Sequence, residues 1–332
     1  MLEQDALKQI RNKNLADILD VLRRKGACSL TQLAENTDGG LTTVTKCVQQ
    51  AMGYGMIFEG EPADSTGGRK PKQYVLNEAY QYFLFLIVDN DALLCKVCNF
   101  AFAPIEEYTL HFTPTEYLSQ IFKSIDSAMK KYAVGTICLS LPCVLKDGVV
   151  QDWFYNAQAV GFDVRAAISA RYPCHVIVQN DMKLTVLGER AQNRKNVKNI
   201  VTVQFGHNGI GVGEMINGNV LEGASGFAGE VSYTADLRKN IMGVAYPAKI
   251  VRNIVIYLNP EVIVFYRSSK QNQFAAIFKT AMKGLPAYAV PEYEISDAYY
   301  DRIVNGFLLL INQNVYYKKT EVENEQKQDV KE

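Results

Sequence analysis

Cys95 and Cys98 form the chain's Cys-x-x-Cys spacing, a pattern that suits thiol–disulfide exchange or one half of a zinc site. Their setting argues against both. The pair lies inside a run read as a β-strand, where positions i and i+3 face opposite sides, and no second pair supplies two further metal ligands. Buried, reduced thiols are the expected role for most of the seven cysteines. The three histidines, His111, His175 and His207, are scattered, and no Ser/His/Asp arrangement can be read from them. A different chemistry is offered near the N-terminus. Thr42, Thr43, Thr45, Lys46 and Gln49 are polar side chains that can meet base edges or phosphates, and Gly67-Gly68-Arg69-Lys70-Pro71-Lys72 places three cations on a flexible loop.

The elements that must carry those residues follow from periodicity. Leu7, Ile10, Leu15, Ile18, Leu19 and Leu22 recur mostly at spacings of three and four, which predicts an amphipathic helix ended by Gly26. Ser29 caps a short second helix, Leu30 to Asn36, with Leu33 and Ala34 facing inward. A third helix runs from about Leu41 to Met52 with Val44, Val48, Ala51 and Met52 on one face, and Met56 to Phe58 and Gln73 to Leu76 read as strands. Three helices and a hairpin are the order of a winged helix-turn-helix, assigned to residues 1–80, whose third helix enters the major groove while the wing touches backbone. A winged helix that binds protein instead of DNA has the same order. Residues 1–80 hold ten Lys/Arg and ten Asp/Glu, so DNA binding requires clustered cations, expected at Arg23-Arg24-Lys25, Lys46 and Arg69-Lys70-Lys72.

The whole chain is neutral too, with 35 basic and 35 acidic residues among 332, which removes any chain-wide attraction to a polyanion. At 48% hydrophobic and 21% charged it reads as globular, and the length favours more than one domain. The charged first residues contain no apolar h-region, and the apolar run Tyr82 to Val88 is too short to span a bilayer, so a cytoplasmic protein is expected. From residue 81 the pattern becomes α/β. Strands at Phe83–Val88, Ala92–Asn99 and Ile105–Phe112 precede a helix at Thr115–Tyr132 and a strand at Thr136–Leu141. A helix at Val164–Arg171, a strand at His175–Gln179, a helix at Asp181–Gln192 and strands at Ile200–Phe205 and Gly211–Ile216 follow. An actin-like or ribonuclease-H-like layer fits this order, and so does a doubly wound sheet. Lys318 to Glu332 is expected to be a disordered tail.

Phe205 to Tyr233, FGHNGIGVGEMINGNVLEGASGFAGEVSY, resembles the signature of the ROK family of bacterial sugar kinases and sugar-responsive repressors. Asn180-Asp181 followed by Leu187-Gly188-Glu189, Leu258-Asn259-Pro260-Glu261-Val262-Ile263-Val264, and Gly67-Gly68-Arg69-Lys70-Pro71 resemble three further family segments in the right order. The resemblance implies an actin-like ROK domain over residues 81–317 behind the winged helix. It also implies that Asn180, Asp181 and Glu230 hold sugar hydroxyls, Asp181 being the catalytic base in the kinases.

The chain departs from the family where the kinases bind ATP and zinc. The glycine-rich phosphate turn is replaced by Asp89-Asn90-Asp91-Ala92-Leu93, and a second nucleotide loop by Phe265-Tyr266-Arg267. Tyr233 stands at a histidine that contacts sugar and zinc in the family, and no cysteine follows Cys174. The stretch between Tyr233 and Leu258 is short enough to lack the zinc loop. Cys143 falls at a loop near the sugar and could narrow that site. These features give the expectation of a DNA-binding regulator of carbohydrate genes without enzymatic activity, cofactor or metal. It would bind a double-stranded operator through Thr42, Thr43, Thr45, Lys46, Gln49, Arg69 and Lys70 as a homodimer or tetramer, and a sugar effector through Asn180, Asp181, Glu230 and Tyr233. A residual sugar kinase, or a DNA-binding scaffold without ligand, are the alternatives.

Overall fold

The computed structural model describes residues 2–61, 71–89, 91–113, 116–154, 156–192, 194, 196–206, 209–233, 243–267 and 273–312, with side chains from residue 13 onward. Helix α1 (Leu2–Lys25) ends where Gly26 turns to φ +76°, a left-handed conformation that costs glycine nothing, and donates its N–H to Leu22. Ser29 then caps α2 (Leu30–Glu35) through a reciprocal capping box with Gln32. Helix α3 (Leu41–Gly53) buries Val44, Cys47, Val48 and Ala51 against α1 and α2. Strands β1 (Ile57–Gly60) and β2 (Gln73–Leu76) pair antiparallel as the wing, and Cys28 bridges to Tyr74. The wing tip, with Arg69 and Lys70, lies outside the described residues.

The larger part contains two five-stranded sheets of the same topology. In the first, β3 (Tyr82–Asp89), β4 (Ala92–Cys98) and β5 (Pro104–His111) form an antiparallel meander. Helix α4 (Tyr117–Lys131) leads to β6 (Val134–Leu141), which joins β3 in parallel. A small hairpin follows, β7 (Val144–Lys146) and β8 (Val149–Asp152). Helix α5 (Val164–Arg171) then returns the chain to β9 (His175–Asn180) beside β6. The second sheet repeats this plan. Strands β10 (Ile200–Gly206), β11 (Gly209–Ile216) and β12 (Asn219–Val220) make the meander. Helix α7 (Ala245–Leu258), β13 (Val262–Tyr266), α8 (Phe274–Met282) and β14 (Glu292–Ser296) complete the parallel half. The strand orders are β5-β4-β3-β6-β9 and β12-β11-β10-β13-β14, so each sheet lists its strands as third, second, first, fourth, fifth. This duplicated layer is the actin-like arrangement, and it excludes the doubly wound alternative.

Helix α6 (Asp181–Gln192) packs on β6 and β9 of the first sheet and on β10, β11 and β12 of the second, and is buried all round from Asp181 to Glu189. A final helix, α9 (299–312), crosses it. The crossing depends on two glycines. A Cβ at Gly188 would lie 2.0 Å from the Arg302 carbonyl oxygen, and one at Gly306 2.3 Å from that of Leu184. Helix backbones approach this closely only where side chains are absent. Ile303, Phe307 and Ile311 of α9 belong to one hydrophobic cluster with Leu15, Leu19, Val48 and Tyr74 of the winged helix and Met182 and Leu184 of α6.

The Cys-x-x-Cys pair divides as strand geometry requires. Cys95 enters the cluster with α4, and Cys98 the cluster shared with the winged helix. Among the described residues no group of three or more His, Cys, Asp or Glu could hold a metal ion. No described helix is long and apolar enough to cross a membrane.

Candidate DNA interface and ligand site

The exposed face of α3 carries Thr42, Thr43, Lys46 and Gln49, because Val44, Cys47, Val48 and Ala51 take the buried positions between them. Thr45 is half-buried and donates its hydroxyl hydrogen to the Leu41 carbonyl at 2.7 Å. Of the clustered cations expected at the end of α1, Arg24 and Lys25 are exposed and Arg23 is partly buried. Arg24 pairs with Asp20 at 3.4 Å, and the Lys25 ammonium donates to the Asn36 side chain at 2.6 Å. Arg23 is engaged by the body. Its Nε donates to the Phe100 carbonyl and its Nη1 to Asn312 Oδ1, both at 3.2 Å, and its guanidinium lies 4.0 Å from the Phe102 ring centroid. Lys72 is tied to Glu59 at 2.8 Å across the base of the hairpin.

The second site forms where β9 runs into α6. Asn180 acts as the N-cap of α6, its Oδ1 accepting the Lys183 N–H at 3.1 Å, while its amide donates to the Cys143 carbonyl. Asp181 Oδ1 accepts the Met182 N–H at 2.8 Å, and Oδ2 accepts the Tyr299 hydroxyl at 2.7 Å. Asp181 is 7% exposed, and burial raises its carboxyl to about 6 against those two hydrogen bonds, which lower it. Glu230 reaches the same region at the end of the glycine-rich loop. Burial first and the Asp181 charge second raise it to about 7, opposed by Lys183. Its carboxyl makes no side-chain hydrogen bond among the described residues, which leaves its oxygens open to a ligand, and burial favours its protonated form.

The loop is held close by its own geometry. Gly226 has φ +81°, and a Cβ there would sit 2.0 Å from the Leu145 carbonyl oxygen of the β7–β8 hairpin. The Lys183 ammonium, 4% exposed, donates to the Gly226 carbonyl at 2.7 Å and ties α6 to the loop from below. Tyr233 is 57% exposed, so it does not plug the site. Its hydroxyl donates to the Asp152 carboxylate, and its ring meets Phe227 edge-on at 5.0 Å. Cys143 does line the interior. Its thiol is buried and pushed well above its ordinary value by burial, then by Asp181 and Glu230.

Four participants had no signal in the sequence pattern. Lys183 and Glu214 are buried, and Glu214 is raised to about 6 by burial. Tyr299 and Tyr300 open α9, and the Tyr300 hydroxyl donates to Asp89 Oδ2 at 2.5 Å, in the turn where the family's phosphate loop was sought. Asn90 of that turn lies outside the described residues, as does His207-Asn208. Burial raises the Asp89 carboxyl, the Tyr300 hydrogen bond opposes this, and the Asp91 charge adds to it less. Phe265 and Tyr266 are fully buried, the Tyr266 hydroxyl donating to Glu189 at 2.9 Å.

A winged helix-turn-helix on a duplicated actin-like body, with a carboxylate-lined site at the start of its central helix, defines the class of this molecule. Its particular kinship follows: residues 105–235 match the model of the ROK family, so the chain carries a ROK-family segment. The xylose repressor of Staphylococcus xylosus is 25% identical over 236 residues, covering 68% of this chain and 61% of that protein. The chain spans about three fifths of the length of the curated relatives it matches. A crystal structure of a ROK family transcriptional regulator, a homologue of the Escherichia coli MLC protein, superposes with a TM-score of 0.66 at 15% identity, covering 92% of this chain and 99% of that one. A ROK family glucokinase from Streptomyces griseus, solved with glucose and AMPPNP, gives 0.53 at 10% identity over 69% of this chain and 98% of that one.

Proposed function

We propose that this protein is a sugar-responsive, DNA-binding transcriptional regulator of the ROK type, without kinase activity. Residues 1–80 form the DNA-reading head, and residues 81–317 the body that senses a small molecule. The observation that carries the reading is the joining of the two through one core, with α6 and α9 of the body packed in the same cluster as the winged helix. Thr42, Thr43, Lys46 and Gln49 supply the polar face for the major groove, and Thr45 contributes only its oxygen lone pairs. Arg69 and Lys70 on the wing complete the backbone contacts. A palindromic operator requires two heads, so the working form is a homodimer or a dimer of dimers, acting in the cytoplasm.

Asn180, Asp181 and Glu230 form the sugar-facing set, with Tyr233 and Phe227 at its edge. Glu230 leads it, because Asn180 and Asp181 already spend part of their hydrogen-bonding capacity inside the protein. Two observations weigh against phosphoryl transfer. Asp181, the residue that would serve as base, accepts a hydrogen bond from Tyr299, and Asp89 and its Tyr300 partner occupy the turn that would need bare backbone N–H groups for phosphate.

The test is an operator-shift measurement on the full chain with a selected DNA fragment, across a panel of neutral and phosphorylated sugars. A sugar that changes DNA affinity supports the reading. Sequence-specific binding that no sugar alters favours the ligand-free scaffold, a reading to which the internal partners of Asn180 and Asp181 lend weight. Phosphate transfer from labelled ATP to any sugar, lost in Asp181→Asn, would restore the kinase.

A further inference from the structure

Helix α9 runs from the ligand site at one end to α1 of the winged helix at the other. Its first two residues, Tyr299 and Tyr300, hydrogen-bond Asp181 at 2.7 Å and Asp89 at 2.5 Å. Asp181 opens the central helix, and Asp89 ends the first strand of the body. Its last described residue, Asn312, accepts the Arg23 guanidinium of α1 at 3.2 Å. Thirteen residue steps of α-helix separate the ends by about 20 Å. Between them the helix is clamped rather than merely packed. The Gly188 and Gly306 approaches bring its backbone against that of α6, and Arg302 Nε donates to Glu189 Oε1 at 2.9 Å. Glu189 in turn accepts the hydroxyl of Tyr266, whose ring meets that of Tyr299 at 5.5 Å. Phe307 and Ile311 stay fully buried down to the winged helix.

At the far end, Arg23 is a convergence point. Besides Asn312 it binds the β4–β5 turn, where Asn99 Oδ1 accepts the N–H groups of Ala101 and Ala103 and the intervening Phe102 takes φ +64°. The head is therefore fastened to the body at α9 and at that turn through one side chain. A shift of α9 along or about its axis must break or reshape the Asn312 contact, because the turn contact holds Arg23 in place.

We propose that α9 is the transmission element between ligand site and DNA-binding head: occupancy at Asp181 competes with the Tyr299 hydroxyl, and the response reaches α1 through Asn312 and Arg23. The proposal rests on the regulator reading above and adds its physical route. A ligand hydroxyl that donates to Asp181 Oδ2 meets an oxygen that already has a donor. The two either share it, lengthening the tyrosine bond, or the tyrosine yields. In both cases the first turn of α9 changes its anchor, and a helix whose inner face, Ile303, Phe307 and Ile311, lies in a close-packed core has few ways to absorb this locally.

The coupling can be read without operator or effector, by hydrogen exchange on the full chain. Tyr299→Phe removes one hydroxyl and keeps the ring, so the core stays filled. It is expected to speed amide exchange in the last turns of α1, Leu19 to Lys25, at least about fivefold, the lower end of ordinary coupling between sites. Reciprocity requires the reverse. Arg23→Lys, which keeps the charge but loses the planar fork, must speed exchange in the first turns of α9, at residues 299–306, by a comparable factor. Tyr288→Phe, at an exposed ring outside α9, should leave both segments unchanged. If each variant loosens only its own end, the transmission role is overturned while the regulator reading stands. If the coupling appears but the chain selects no DNA sequence, the transmission role stands and the regulator reading falls.

Discussion

The head and the body treat their polar side chains in opposite ways. On α3, Thr42, Thr43, Lys46 and Gln49 project into solvent from a helix whose other face is apolar. In the body, Asn180, Asp181 and Lys183 are nearly enclosed, and each hydrogen-bonds a group elsewhere in the chain: Cys143, Tyr299 and Gly226. The contrast sets what a partner must do. In the proposed reading, DNA meets groups whose only competitor is water, so α3 needs no rearrangement to read it. A small molecule at Asp181 meets a group already engaged with Tyr299, so it must share or displace an internal bond, which couples binding to shape.

The contrast predicts that cleft substitutions move stability and head substitutions move only affinity. The largest effect is expected for Tyr299→Ala, which removes a buried ring packed between Tyr266 and Tyr300 and strips Asp181 of its donor. A loss of about 3 to 5 kcal/mol, typical of a deleted buried aromatic, should appear as a lower urea midpoint. A midpoint within error of the parent chain would show that the body's polar groups are no more committed than those of the head.

The next effect is a dependence on pH. Asp181 and Glu214 are raised to about 6 and Glu230 to about 7, in each case by burial first. An acid raised by folding holds its proton more tightly in the folded chain than in the unfolded one. These groups therefore favour the fold most below about pH 4, and that contribution is lost as pH rises through roughly 4 to 7. Urea titrations at pH 4.5 and 7.5 should show Glu230→Gln and Asp181→Asn shrinking the drop between the two. If both variants keep the parent drop, these carboxyls are not the titrating groups.

Smallest for stability, and specific to the head, are Thr43→Ala and Lys46→Ala. Both should leave the unfolding free energy from urea titration within about 0.5 kcal/mol of the parent. Lys46→Ala should weaken all DNA fragments alike and flatten the salt dependence of log affinity by about one unit, as for a lost phosphate contact, whereas Thr43→Ala should change preference among fragments. A drop in stability from either would erase the contrast.

The same division decides what was legible in the sequence. Elements set by local spacing were: α5, α6 and β2 lie at their expected bounds, and α3 within a residue of its own. Asn180, Asp181 and Glu230 could be singled out because a short motif marks each. Their partners could not. The Tyr299–Asp181 bond spans 118 residues, Tyr300–Asp89 spans 211, and Arg23–Asn312 spans 289. Nothing local distinguishes Tyr299 and Tyr300 from an ordinary aromatic pair; Tyr299, Ile303, Phe307 and Ile311 do recur at helical spacing, but that pattern does not show that α9 packs on α6 and the winged helix. Arg23 misled for the same reason. It sits in a basic triplet that suggests a DNA contact, yet two rings and a carbonyl from the β4–β5 turn draw it inward.

The cysteines have a practical consequence. All seven thiols are free; Cys28, Cys47, Cys95, Cys98, Cys138 and Cys143 are buried, and Cys174 is half-covered. Burial raises Cys98 and Cys174 to about 11, which slows alkylation further. Each buried thiol thus becomes a clock for the opening of its own neighbourhood. Two of them time the head, three the strands of the first sheet, and Cys143 the proposed ligand site. The second sheet, built from a stretch with no cysteine at all, would open unseen by such an alkylation experiment until one was introduced there.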